Sequence, residues 1–162
     1  MTNKSVINIS INNKEDILSP FANDKAIISR DLVEFLDYKL SPVIIKKDLH
    51  IKISCQNLSD DEKKLYEQAI KNYYEELYFI KKREVYQKTL ISLILLMIGV
   101  LVIILTIILE ETGENIIKAR VNDIIAWVFV WEAVDIFFFQ RPKVSFDKRK
   151  SQKMMNATIE YI

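Results

Sequence analysis

The chain has 162 residues, of which 50% are hydrophobic and 28% are charged, and its formal net charge is +1. A charge so close to neutral gives no global reason to expect nucleic acid as a partner. The single cysteine, Cys55, excludes an intramolecular disulfide. The two glycines, Gly99 and Gly113, are too few and too far apart for a phosphate-binding loop or a dinucleotide fingerprint.

The sequence at 1–58 predicts a small cytoplasmic α/β segment without a secretory signal, because positions 1–20 contain no continuous apolar core. Residues 6–11 and 49–55 alternate apolar and polar side chains, which is typical of half-buried strands. Between them, Ser29 is placed to cap a helix over residues 30–40 with apolar side chains on one side.

A long helix is predicted to begin directly after this segment. Ser59 and Glu62 have the spacing of a capping box, in which each side chain accepts a hydrogen bond from the other residue's backbone N–H. No Gly or Pro follows before Gly99, so a juxtamembrane helix over residues 59–89 is expected to continue into the apolar segment at 90–109. Its many tyrosines favour packing against the cytoplasmic domain over a ligand-stacking surface.

The segment at 90–109 carries no charge, and all but four of its positions are Leu, Ile or Val. A helix of that length spans about 30 Å, which is the thickness of the hydrocarbon core of a bilayer. This segment is therefore predicted to be the first transmembrane helix.

Residues 121–139 are predicted to form the second transmembrane helix, after a short external loop over residues 110–120. The segment contains Glu132 and Asp135, and each carboxylate costs about 2.5–3.5 kcal/mol at the centre of the bilayer. A re-entrant or surface-lying helix is the alternative, because the uncharged stretch at 124–131 is too short to span a bilayer alone. Two adjacent segments with so short a connection predict an antiparallel hairpin.

The distribution of basic residues predicts that both termini are cytoplasmic. Five of positions 70–89 and six of positions 140–159 are Lys or Arg, but only two basic residues lie between the segments. We expect the protein in the inner or plasma membrane of the cell, with basic residues near the bilayer in contact with lipid headgroups rather than RNA. These residues are Lys81, Lys82, Arg83, Arg141 and Lys143.

Both apolar segments carry stripes of residues that recur at intervals of seven. The antiparallel register that matches the two stripes places Ser92 opposite Asp135, Gly99 opposite Val128, and Thr106 opposite Val121. Since Lys88 lies one turn from Ser92, we expect Asp135 or Glu132 to pair with Lys88 and Ser92 near the cytoplasmic interface. The alternative is that both carboxylates lie close enough to the headgroups to stay hydrated.

The end of the chain, residues 140–162, is predicted to be a basic cytoplasmic tail with a short helix over 147–156 and a strand over 157–162. We expect this strand to join the two N-terminal strands, and the helices to cover one face of the resulting sheet. The predicted fold is therefore an α-helical transmembrane hairpin with a small α+β cytoplasmic domain built from both chain ends.

Several segments of the sequence carry a resemblance to known proteins. They are residues 29–36, 49–54 and 61–71, the first span, and the pattern W-x3-W-E-x2-D of the second span, which is followed by aromatics and Arg-Pro. With these motifs the chain resembles a widespread, uncharacterised group of small prokaryotic membrane proteins with two spans. Members of that group carry a basic residue and Pro where Glu132 and Ala133 stand, which leaves Asp135 as the better functional candidate. The resemblance implies the two-span layout and no known activity.

No set of catalytic residues converges in the sequence. His50 and Cys55 fall on opposite faces of one predicted strand, and one His with one Cys does not make a conventional zinc site. We predict no enzyme activity and no cofactor or metal. The predicted function is non-catalytic anchoring or assembly, with the bilayer and either a second copy or another membrane protein as partners, and no nucleic acid. The alternative is an oligomer that passes protons or small ions along Glu132 and Asp135.

Overall fold

The computed structural model describes residues 4–11, 16–20, 26–40, 48–55, 58–111 and 116–162, with the backbone alone at Lys4 and at 116–119. The described chain is mostly helical, with one long apolar helix and a small three-stranded sheet. It divides into two compact units, one formed by Met1–Ile80 with Asp147–Ile162 and the other by Lys81–Phe146. The first unit therefore draws on both ends of the chain, as the sequence predicts.

The described secondary structure comprises three strands, four α-helices and one π-helical turn. In chain order they are β1 (Lys4–Ile11), α1 (Arg30–Lys39), β2 (Asp48–Cys55), α2 (Asp60–Glu111), α3 (Ile116–Asp135), the π turn (Ile136–Gln140), α4 (Arg141–Met155) and β3 (Thr158–Tyr161). The three predicted strands and the predicted helix at 30–40 are confirmed within two residues at each end.

The three strands form one parallel sheet in the order β1-β2-β3. Ile51 of β2 lies beside Ile7 of β1 on one side and beside Ile159 of β3 on the other. The prediction that the C-terminal strand joins the other two is therefore confirmed, and β2 is the central strand. Because successive side chains alternate between faces, these isoleucines share one face of the sheet.

That face of the sheet is covered by helices in a single hydrophobic core, as predicted. Residues of α1, α2 and α4 contribute to it: Leu32, Leu36, Tyr66, Ile70, Tyr74 and Met154. Tyr66 and Tyr74 are buried there, so these two tyrosines of α2 pack in the core. The opposite face carries Lys52 and Glu160, which form an ion pair at 3.9 Å across the strands.

The N-terminus of α2 has the predicted capping box. The Ser59 N–H donates to Glu62 Oε2 at 2.9 Å, and the Glu62 N–H donates to Ser59 Oγ at 3.2 Å. From Asp60 the helix continues for 52 residues, about 78 Å, so the predicted continuity of residues 59–109 is confirmed. The predicted loop at 110–120 is wrong at both ends, because α2 reaches Glu111 and α3 begins at Ile116; residues 112–115 lie outside the described ones.

Within the described residues, one helix, α2, is long and apolar enough to cross a membrane. Helix α3 is less apolar and does not qualify by composition, because it contains five charged residues: Lys118, Arg120, Asp123, Glu132 and Asp135. The first predicted span thus has a matching helix by length and composition. The second span remains a prediction.

The helix predicted at 147–156 begins six residues earlier, at Arg141, and follows the π turn without a gap. The Arg141 N–H donates to the Ile136 carbonyl, five residues back instead of four. Pro142 comes next, has no N–H to donate, and is tolerated in the first turn of a helix. The break that the sequence prediction leaves between the segment at 121–139 and the helix at 147–156 is therefore wrong, because the π turn and α4 continue the helical run past the proline.

Candidate functional site

Within the Lys81–Phe146 unit, α2 and α3 lie close together at Gly99. A Cβ atom added at Gly99 would lie 2.7 Å from Val130 Cγ2 and 3.4 Å from the Ala126 carbonyl oxygen. Ala126 and Ala133, seven residues apart on α3, are both buried. Small residues therefore bring the two backbones together, as is common where helices pack in membranes.

The stripe predicted on the first segment lies on this packed surface. Ser92 and Thr106 are each 3% exposed, on either side of Gly99. The Ser92 hydroxyl donates to the Thr89 carbonyl and the Thr106 hydroxyl to the Val102 carbonyl, both at 2.9 Å. The hydroxyl donors are thus satisfied within their own helix and need no partner on α3.

The stripe predicted on the second segment, which includes Val121 and Val128, does not face α2. Val128 is 62% exposed and Val121 is also exposed, so neither packs against α2. Gly99 contacts Ala126 and Val130, which lie two residues before and after Val128. Val128 therefore lies at the predicted height along the helix. Because two residues turn an α-helix by about 200°, its side chain points almost directly away from α2.

The predicted pairing of Lys88 with a carboxylate is indirect. The Lys88 ammonium group donates to Gln140 Oε1 at 2.9 Å, and Gln140 Nε2 donates to Asp135 Oδ2 at 2.8 Å. Gln140 therefore lies between the two charged groups and hydrogen-bonds to both. Ser92 takes no part in this series of hydrogen bonds, because its hydroxyl donates to a carbonyl within α2. Sequence reasoning missed Gln140, although it lies seven residues after Ala133, on the stripe that packs.

The contact between Asp135 and Gln140 depends on the π turn. Side chains five residues apart point about 140° away from each other in an α-helix. The π turn at Ile136–Gln140 has wider, five-residue hydrogen bonding, which brings positions five apart towards the same side. The polar chain and the irregular turn are thus one structural feature.

Glu132 takes no part in the hydrogen bonds that join Lys88, Gln140 and Asp135. Its side chain is exposed, as are those of Trp127 and Trp131, which are 69% and 67% exposed. Among the described residues, no hydrogen bond or ion pair reaches the Glu132 carboxylate. The two carboxylates that the sequence grouped together therefore occupy different surroundings, with Asp135 partnered inside the helix pair and Glu132 facing outward.

The basic residues expected at lipid headgroups differ in their surroundings. Lys82, Arg83 and Lys143 are exposed, whereas Lys81 contacts Glu84 at 2.9 Å one turn along the helix. The Arg141 guanidinium lies over the Phe137 ring at 4.9 Å. Its Nε is buried and has no hydrogen-bond partner among the described residues.

The other unit has a polar cleft of about 560 Å³ beside the first residues of β2 and β3. Its lining includes Asp48, His50, Arg149 and Lys153. The Lys153 ammonium lies 3.8 Å from Asp48 Oδ1, and His50 Nδ1 lies 3.7 Å from Glu160 Oε1. An ion pair therefore accounts for Asp48 and Lys153, and a contact with Glu160 accounts for His50. Across the described ranges, no three His, Cys, Asp or Glu side chains are grouped to hold a metal ion.

Comparison with models of known families, with curated proteins and with solved structures found no match. The likeness to two-span prokaryotic membrane proteins therefore stays a prediction.

Proposed function

We propose that this protein is a two-span integral membrane protein of the inner or plasma membrane that anchors or assembles its α/β unit at the cytoplasmic face without catalysis. The observation that carries the proposal is the reversed burial of the helix pair. Most exposed large hydrophobic side chains of the described residues lie between Leu90 and Phe139, whereas Ser92, Thr106 and Ala126 are buried. Helices of water-soluble proteins have the opposite arrangement.

The energetics of insertion support the first span strongly. Sixteen Leu, Ile and Val residues at 90–109 contribute about −5 to −10 kcal/mol in total on the insertion scale. The chain leaves most of this apolar surface uncovered. Lipid is the solvent in which such a surface is stable, because water would be ordered around it.

The internal hydrogen bonds support the second span. A polar group without a partner in the hydrocarbon costs several kcal/mol, so a membrane helix has to satisfy its polar groups within the protein. Asp135 meets this condition through Gln140, which in turn bonds to Lys88. The packing of Ala126 against Gly99 provides the close helix–helix contact that stabilises a pair of spans.

Extraction with alkaline carbonate tests membrane integration directly. We expect the chain to remain in the membrane pellet, since alkaline carbonate removes proteins bound at the surface but leaves spanning helices in place. A peripheral helix of a known membrane-bound protein serves as the control that is released. Recovery of this chain in the supernatant would contradict the proposal.

The orientation is tested with single cysteines, since Cys55 is the only native one. In a Cys55→Ser background, Gly113→Cys lies between the two segments and Lys64→Cys lies in the proposed cytoplasmic part of α2. An impermeant maleimide applied to intact cells is expected to label Gly113→Cys, and to label Lys64→Cys only after permeabilisation. The reverse pattern would place the termini outside.

The second candidate function is passage of protons or small ions, which the polar chain from Lys88 to Asp135 inside the helix pair favours. Vesicles that enclose a pH-sensitive dye and contain the purified protein separate the two functions. For an anchor, we expect the same slow proton leak from the parent and from the Glu132→Gln, Asp135→Asn double variant. A fast leak in the parent that the double variant abolishes would establish the ion pathway instead.

A further inference from the structure

The outward surface of α3 combines a hydrogen-bond acceptor and a donor that both lack partners among the described residues. Val128, 62% exposed, lies at its centre, with Glu132 on one flank and Trp131 on the other; we call this surface the Val128 face. A carboxylate that meets only lipid at this position is unfavourable, because nothing in the hydrocarbon solvates its charge. The hydrocarbon offers the Trp131 indole N–H no acceptor either.

We propose that the Val128 face binds the same face of a second copy of this chain. The Glu132 carboxylate of each copy then accepts a hydrogen bond from the Trp131 indole N–H of the other. This inference rests on the proposed membrane function, because only in lipid does an outward carboxylate need such a partner.

The helical geometry places the two groups on opposite sides of Val128. Each residue turns an α-helix by about 100°, so Glu132 lies about 40° to one side of Val128 and Trp131 about 60° to the other. In a two-fold dimer of parallel helices, residues on opposite flanks of the contact line meet across the axis, as e and g positions do in a coiled coil. Glu132 of each copy therefore faces Trp131 of the other, which gives two equivalent hydrogen bonds.

The depth of the two residues also favours a second copy. Neighbours in sequence differ by about 1.5 Å in height along a helix. If the symmetry axis is perpendicular to the membrane, every residue has the same depth in both copies, and Glu132 and Trp131 meet at nearly one level. Each copy thus presents both a donor and an acceptor to the other copy, which makes the Val128 face self-complementary.

Cysteine crosslinking in membranes tests the contact. In a Cys55→Ser background, Val128→Cys is expected to form a disulfide-linked dimer on mild oxidation, because Val128 lies on the two-fold axis. Leu101→Cys is the matched control, since Leu101 is an equally exposed aliphatic residue, 65%, on α2. We expect Leu101→Cys to remain monomeric under the same oxidation.

Substitutions at the flanks then test the hydrogen bond. Either substitution removes both hydrogen bonds of the dimer. Since one interhelical hydrogen bond in a membrane is worth about three- to tenfold, Glu132→Ala and Trp131→Phe are each expected to weaken dimerisation about ten- to hundredfold. Glu132→Gln keeps an acceptor oxygen and is expected to dimerise like the parent. Trp127→Phe removes an indole that is just as exposed but lies about 100° from Val128, so it should have no effect.

The outcomes separate this inference from the proposed function. If Val128→Cys crosslinks no better than Leu101→Cys in carbonate-washed membranes, the dimer face is overturned and the membrane anchor stands. If Glu132→Ala dimerises as well as Glu132→Gln, the hydrogen bond is overturned. If carbonate releases the chain from the membrane, the proposed function itself fails, and this inference fails with it.

Discussion

The Lys150 ammonium group contacts Asp37 twice, at 2.9 Å from the carboxylate Oδ1 and at 3.2 Å from the backbone carbonyl. The two residues are 113 positions apart in the chain, on α4 and at the end of α1. The Tyr74 hydroxyl donates to the same Asp37 oxygen at 3.4 Å. One carboxylate thus connects three helices of the α/β unit.

Asp37→Ala is expected to lower the free energy of unfolding of this unit by about 1–3 kcal/mol. The reason is that the Lys150 side chain, 17% exposed, loses its ionic partner but stays largely buried. Denaturant unfolding in mild detergent, followed by far-ultraviolet circular dichroism, measures the change. Glu34→Ala is the control, because its exposed pair with Arg30 is worth under about 0.5 kcal/mol. Equal losses in both variants would contradict a structural role for Asp37.

Gly99→Ala is expected to destabilise the helix pair by about 1–3 kcal/mol, the usual cost of overpacking. The added Cβ would lie 2.7 Å from Val130 Cγ2 and force either that side chain or the helix to move. Adding Val130→Ala should restore most of the loss, which thermal unfolding in detergent would show. Met97→Ala, at a position 60% exposed, is the control and should have little effect. A loss that Val130→Ala does not reduce would mean that the close contact is not its cause.

Gln140→Leu is expected to cost about 1–3 kcal/mol, because it leaves Lys88 and Asp135 without the amide that links them. Asp135→Asn should cost less, since its side-chain oxygen still accepts from Gln140. Thermal unfolding of the two variants in one detergent gives the comparison. A larger loss for Asp135→Asn would indicate that the charge of Asp135 matters more than the hydrogen bond.

Alkaline pH is expected to weaken the α/β unit. Burial raises the pKa of the Tyr161 hydroxyl to about 12, and that hydroxyl donates to the Lys63 carbonyl at 2.9 Å. In the unfolded chain the pKa of tyrosine is about 10, so the folded state holds the proton more tightly. The free energy of unfolding is then unaffected below about pH 10 and falls as the pH rises from about 10 through 12.

Unfolding measured from pH 8 to 12 checks this dependence. Tyr161→Phe should make the alkaline fall smaller without abolishing it, because burial also raises the pKa values of Tyr73 and Tyr74. Tyr38→Phe, at a position 83% exposed, serves as the control. An unchanged pH profile in Tyr161→Phe would contradict the role of this hydroxyl.

Local signals were sufficient to predict most elements of the fold. Ser29 accepts a hydrogen bond from the Leu32 N–H, and Ser59 and Glu62 cap α2 reciprocally, because capping depends on residues within one turn. Alternation of apolar residues likewise identified β1 and β2. The same signals do not give the parallel order of the sheet, which depends on contacts between distant parts of the chain.

The candidate site was harder to predict because its geometry depends on the partner helix and on an irregular turn. A repeat of seven fits any stripe of a helix, and it was the small size of Ala126 and Ala133 that decided which stripe meets Gly99. Gln140 reaches Asp135 only because the π turn departs from α-helical spacing. A prediction that assumes a regular helix places these two side chains on different sides.

The central strand of the sheet acquires its second neighbour late in synthesis. About 100 residues separate the end of β2 at Cys55 from the start of β3 at Thr158, and both apolar segments lie among them. At a translation rate of 5–20 residues per second, β2 waits roughly 5–20 s with one edge open. The α/β unit therefore cannot complete its sheet before both apolar segments have been made, and during that interval the free edge of β2 is open to pairing with other chains.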